Sequence, residues 1–190
     1  MNLNIDKYGG LTIVPIRCGS HYGTAFYVGK TQLMTATHIL KSHINNPETV
    51  NIEVLVGTKW ERCSIAAKFP PADITLLNCA VESVDGDFLE LLASEFFDGQ
   101  DLKVIGYPKE IGNGIDYFGI DIKSIRELND NSSRGFDIIV LRTDPLALAS
   151  YNGFSGSPVF NHKGKVIGVA TDQFYNTLSY ASIKSIKNRL

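Results

Sequence analysis

Short apolar runs rich in β-branched and aromatic residues fill this chain, and glycine, proline or asparagine breaks them every few positions. Leu11 to Ile16 follows Gly9-Gly10 and reads as a strand. Gly23 to Val28 and Thr31 to Thr35 read as a hairpin about Gly29-Lys30. Val50, Ile52, Val54 and Val56 alternate with polar residues, the period of a half-buried strand. Gly57-Thr58 then turns the chain into Trp60 to Phe69, and Pro70-Pro71 ends that run. Further runs are Ile74 to Leu77, Phe88 to Leu92, Leu102 to Tyr107, Ile115 to Ile125, Phe136 to Thr143, Pro158 to Phe160, Lys165 to Ala170 and Leu178 to Ala181. Asn129 to Gly135 is a polar loop. Long amphipathic helical periods are missing, which excludes alternating βαβ layouts. About six strands in each half is the all-β pattern. Small antiparallel barrels close their own edges, and two six-stranded antiparallel β-barrels fit a chain of 190 residues.

Ser94 to Asp101 is short, acidic and carries Gly99, so the boundary between barrels is expected there. Residues 1–97 would form the first barrel and 98–190 the second. Ser182 to Leu190 reads as a short C-terminal helix, with Ile183, Ile186 and Leu190 forming an apolar stripe.

Composition removes several functions. The formal net charge is −2, which gives no electrostatic basis for binding nucleic acid or an anionic membrane. No apolar run reaches transmembrane length. Met1 to Asp6 lacks the basic start and apolar core of a signal peptide. Cys18, Cys63 and Cys79 are odd in number and follow no metal-ligand spacing. Each lies in or beside an apolar run, so buried free thiols and a reducing, cytoplasmic setting are expected.

The chemistry centres on Asn152-Gly-Phe-Ser-Gly-Ser-Pro158. Glycines on both sides of Ser155 permit unusual backbone conformations and close approach of a substrate. Backbone N–H groups near Gly153 and Ser155 are candidates for an oxyanion hole. A serine hydroxyl is inert at neutral pH without a base, so a histidine is required. His38 directly follows a strand, a rigid position suited to a general base. His21 lies beside a glycine turn, and His162 lies in a hairpin turn after the serine. Asp73 opens an apolar strand after Pro-Pro-Ala. It is either a turn residue or a partly buried acid with a partner.

Thr-Ala-Thr-His38, Asp73-Ile-Thr-Leu-Leu and Gly153-Phe-Ser155-Gly-Ser-Pro occur in that order. Together with Ile105-Gly-Tyr-Pro108, they resemble the trypsin-like serine peptidases of the chymotrypsin fold, from Gly23 to about Ala181. The resemblance implies that Ser155 is the nucleophile, His38 the general base and then the acid, and Asp73 the residue that holds the histidine tautomer. It places the oxyanion hole at the N–H groups of Gly153 and Ser155. Thr171, Asp172 and Gln173 would pair with the substrate backbone as an added strand. Ala149 would line the base of the primary specificity pocket, which implies cleavage after an uncharged, small or medium apolar residue. An inward-turned Asp172 would select a basic residue instead. No cofactor is implied. The implied partner is a protein or peptide substrate. Stand-alone cytoplasmic members of the family often act on a dedicated partner, for example in bacterial defence, and a partner that orders the loops could also be the activator.

Three positions depart from the family pattern. Ser157 replaces a common glycine and puts a second hydroxyl near the nucleophile. Phe154 stands where zymogen-type members hold the acid that receives a new N-terminus, and Ile39 stands where secreted members hold a disulfide cysteine. Three other readings compete. A catalytically inactive pseudoprotease would keep the fold as a protein-binding module. An α/β-hydrolase would need Gly-x-Ser-x-Gly and a later histidine. A metal site at His38 and His43 would need a further ligand.

Overall fold

The computed structural model describes residues 12–83, 87–94, 99–111, 114, 116–129, 137–143, 150–174 and 177–190, with backbone alone for 125–129, 137–143, 172–174 and 177. The chain is all-β, and every strand pairing is antiparallel. That arrangement removes the α/β-hydrolase reading.

The first sheet holds β1 (Ile13–Cys18), β2 (His21–Tyr27), β3 (Gln32–Ala36), β4 (Ile52–Val56), β5 (Lys59–Phe69) and β6 (Ile74–Cys79). Its order β1-β2-β3-β6-β5-β4 closes on itself through β1 and β4. Pro15 is tolerated inside β1 for a positional reason. Thr12 accepts from the Tyr27 N–H, so even-numbered residues of β1 face β2. Pro15 faces the other side, where pairing with β4 begins only at Ile16.

The second sheet holds β7 (Asp101–Gly106), β8 (Phe118–Asn129), β9 (Asp137–Thr143), β10 (Pro158–Phe160), β11 (Val166–Phe174) and β12 (Thr177–Ser182). It runs β10-β11-β12-β9-β8-β7. Its end strands meet at two residue pairs only, Val159 with Val104 and Phe160 with Lys103. The expectation of two six-stranded antiparallel β-barrels is met in full by the first sheet and only in part by the second. The first is a full barrel, while the second is a curled sheet with a minimal seam, because β10 is only three residues long.

Three apolar clusters hold the molecule together. Val14, Ile16, Tyr27, Leu33, Ile39 and Val54 fill the first barrel. Leu102, Val104, Tyr151, Phe154, Val159 and Tyr180 fill the second sheet. Phe26, Met34 and Ile74 meet Ile105, Tyr107, Phe160 and Val169 between the two. Residues 87–94 run across both: the Leu89 N–H donates to Tyr27, and Val166 exchanges bonds with Glu90 and Leu92.

Local expectations were met unevenly. Gly57-Thr58 is the two-residue turn between Val56 and Lys59, with Gly57 at φ 61°. The β2–β3 loop is longer than the expected Gly29-Lys30. Val28 donates to Gln32 across three residues, because Thr31 gives its carbonyl to Cys79 of β6. The C-terminal helix is also corrected. Ser182 belongs to β12, and two 3-10 turns follow at Ile183–Ser185 and Lys187–Arg189. The three-residue period aligns Ile183 and Ile186 on the core and leaves Leu190 57% exposed. The cysteines are free, but Cys63 is only partly buried, unlike Cys18 and Cys79. The expected loop at 129–135 lies almost wholly outside the described residues, and the expected boundary near 97 falls in part on undescribed residues. No helix among the described residues is long and apolar enough to cross a membrane.

Candidate active site

His38 sits in the 3-10 turn Thr37–Leu40 that follows β3. Ile39 and Leu40 are buried and pin that turn to the barrel. Ala36 of β3 pairs with Ile74 of β6, so Thr37 and Asp73 leave the ladder side by side. The Thr37 N–H donates to the Asp73 carbonyl at 2.8 Å. The His38 N–H donates to Asp73 Oδ1 at 2.9 Å, and His38 Nδ1 lies 2.7 Å from Oδ2. A carboxylate only accepts, so Nδ1 carries the proton and Nε2 keeps its lone pair for a base's work. Thr37 Oγ1 and Thr75 Oγ1, 2.8 Å apart, add one more bond between the two segments. Asp73 lies at φ 55°, a left-handed conformation that aspartate tolerates better than most residues. The two sequence readings of Asp73 are thus both correct: it ends a turn, and it is an acid with a partner.

Ser155 lies in a turn set by glycines. Gly153 has φ 101°, and a Cβ there would lie 2.2 Å from the Tyr107 carbonyl oxygen. Gly156 has φ 83°, and a Cβ would lie 2.0 Å from the Thr24 carbonyl oxygen. No side chain fits either place. Phe154 between them is fully buried and anchors the turn in the second sheet. The turn is also tied to the first barrel by one residue that the sequence reading missed. Thr24 Oγ1 donates to the Gly153 carbonyl at 2.8 Å and accepts from the Tyr107 N–H at 3.0 Å. The Thr24 N–H donates to the Ser155 carbonyl at 2.8 Å, and the Thr24 carbonyl accepts from Thr35 Oγ1. With both carbonyls held by Thr24, the Gly153 and Ser155 N–H groups have no acceptor among the described residues. A glycine inside a strand signals close approach of another backbone. Gly23 is such a glycine, because a Cβ there would lie 2.8 Å from the Ser155 carbonyl oxygen.

Ser155 Oγ donates to the Thr171 carbonyl at 3.3 Å. His38 and Ser155 line one pocket of about 250 Å³ with Tyr151, Asn152, Ala170, Thr171 and Leu178. Tyr151 and Leu178, both nearly wholly buried in the second sheet's core, border the pocket and were not singled out by the sequence. The structure therefore brings His38, Asp73, Ser155 and Thr171 together. Asp172 and Gln173 lie on β11 next to Thr171 with only their backbone described, and Ala149 lies outside the described residues. Ser157 is fully buried, and a Cβ at Gly106 would lie 2.0 Å from its Oγ, so it is not a second exposed hydroxyl. His21 contacts Ser42 and His43 contacts the Val50 carbonyl, away from His38. Among the described residues no cluster of three or more His, Cys, Asp or Glu could hold a metal ion.

A model of the trypsin-like peptidase domain matches residues 23–169. Solved structures share the fold at low identity. The active form of the Rv3671c protease from M. tuberculosis superposes with a TM-score of 0.78 at 20% identity, over 100% of this chain and 83% of that one. Its inactive form gives 0.75 at 21% identity, covering 100% and 92%. Deg5 gives 0.73 at 18% identity, covering 98% and 90%. No curated protein sequence matches the chain. The fold is the chymotrypsin-like one expected from the motifs, and the match spans both the histidine and the serine segments. The chain belongs to the trypsin-like peptidase domain family.

Proposed function

We propose that the protein is a serine endopeptidase that hydrolyses protein or peptide chains through an acyl-enzyme. The observation that carries this reading is the pair of bonds from His38 to Asp73 beside a pocket that His38 shares with Ser155. Fold similarity alone would not carry it.

In this reading His38 Nε2 takes the Ser155 proton as Oγ attacks the scissile carbonyl. The imidazolium that forms is stabilised by the Asp73 carboxylate. The unaccepted N–H groups of Gly153 and Ser155 receive the oxyanion. His38 then protonates the leaving amine, the amine departs, and water enters by the same route in reverse. Ser155 Oγ rests on Thr171 in the free protein, and catalytic hydrogen bonds of this kind tighten only when substrate is bound. The substrate adds as a strand along the backbone of Thr171 to Gln173. Its side chain enters the pocket between Tyr151 and Leu178, which favours an uncharged group.

Hydrolysis of a denatured protein by the wild type and by Ser155→Ala, His38→Ala and the double variant tests the proposal. Each single variant should lose nearly all the rate, and the double variant should lose little more, because the residues act as a unit. Cleavage that persists in Ser155→Ala would end the proposal. Tight binding of protein chains without turnover in the wild type would leave a binding module.

A further inference from the structure

Cys63 and Cys79 face each other directly across β5 and β6. The kind of pair they form can be read from the ladder. The Cys79 N–H donates to the Thr31 carbonyl at 2.8 Å, on the β3 side. In an antiparallel sheet a residue sends its N–H and C=O to the same side, so Cys79 sends neither toward β5. Cys63 and Cys79 are therefore a non-hydrogen-bonded pair. Such pairs have the closest Cα atoms, about 4.5 Å apart, with both side chains on one face. That separation lies within the range a disulfide spans.

The register also excludes a link between Cys18 and Cys63. Cys18 of β1 faces Ile52 of β4, and Ile52 faces Cys63 of β5. Cys18 is thus two strand spacings from Cys63, roughly 9–10 Å, which is too far to bridge. Coupling between Cys63 and Cys79 pulls the Cys79 thiol below the ordinary thiol range, through a side-chain hydrogen bond from Cys63 with burial opposing, and pushes the Cys63 thiol far above it. Cys79 is buried at 4% exposure, whereas Cys63 is partly exposed and gives small oxidants a way in.

We propose that Cys63 and Cys79 form a reversible oxidation site, closed to a cross-strand disulfide by a hydroperoxide. The Cys79 thiolate attacks a peroxide oxygen, the O–O bond breaks, a sulfenic acid forms, and the departing hydroxide takes up the proton that the thiol had shed and leaves as water. The Cys63 thiol attacks that sulfur, the S–O bond breaks, the departing hydroxide takes the Cys63 proton and leaves as water, and the S–S bond forms. Two thiols are oxidised, one hydrogen peroxide is reduced, and two waters leave. The link would join β5 to β6 at the end of the hairpin away from the Pro70-Pro71-Ala72-Asp73 turn, beyond the pairs from Ser64 with Asn78 to Phe69 with Ile74.

The test is thiol counting and peptide mapping on the folded full-length protein, treated with a small excess of hydrogen peroxide and then alkylated in denaturant. This readout does not depend on peptidase activity. The proposal expects free thiols to fall from three to one, a linked Cys63–Cys79 peptide pair, an alkylated Cys18, and recovery of all three thiols in dithiothreitol. Cys18→Ala should keep the linked pair, and Cys63→Ser should lose it. Three surviving thiols, sulfinic acid in place of the link, or a link between two molecules would overturn it, and these outcomes are readable in the wild type alone.

Discussion

His38 gives two protons to one carboxylate: its backbone N–H goes to Asp73 Oδ1 at 2.9 Å and its ring Nδ1 bonds Oδ2 at 2.7 Å. With both oxygens engaged, the carboxylate cannot turn without losing a partner. The ring is held in one plane and one tautomer. Asp73→Asn keeps an oxygen for the backbone N–H and puts an amide group against Nδ1. The wrong tautomer then faces Ser155, and kcat should fall by about 10⁴-fold with the fold intact. Steady-state kinetics with circular dichroism checks this. A loss below tenfold would show that the ring does not act as a base.

Thr24 makes the strongest prediction about stability. Its Oγ1 is the shared partner of the Gly153 carbonyl and the Tyr107 N–H, and the residue is fully buried. Thr24→Val keeps the shape and strands both groups. Each unmade buried bond costs about 1–3 kcal/mol, so the loss of two should total roughly 2–6 kcal/mol in urea unfolding. Thr24→Ser should recover most of it. Equal stability of the valine and serine variants would contradict the assignment.

Local patterns in the sequence offered the candidate residues, and the structure sets His38 against Asp73 beside a pocket that Ser155 also lines. His38, Asp73 and Ser155 were legible because each sits in a local pattern: a histidine after a strand, an aspartate after Pro-Pro-Ala, a serine between glycines. Thr24 was not legible, because its role depends on Gly153 and Tyr107, which are 129 and 83 residues away. For the same reason Tyr151 and Leu178 were not singled out. Ser182 to Leu190 misled because a stripe at i and i+3 suits a 3-10 turn as well as an α-helix. The curled second sheet followed from the shortness of β10, and a proline at its start gave no measure of its length.

Substrate choice follows from the pocket walls. No Asp, Glu, Lys or Arg side chain lines the pocket beside Ser155 among the described residues. Burying an unpaired cation there would cost several kcal/mol. A positional-scanning peptide library should show cleavage after uncharged, small or medium apolar residues. Dominant cleavage after Arg or Lys that Asp172→Ala abolishes would overturn this and assign Asp172 to the pocket.

In the proposed mechanism one serine is made nucleophilic by the His38–Asp73 pair. A fluorophosphonate probe reacts only with such a serine, so mass mapping of the labelled residue tests it most directly. A single adduct on Ser155 is expected in the wild type, and none in Ser155→Ala or His38→Ala. An unlabelled wild type, or an adduct on any other serine, would contradict it.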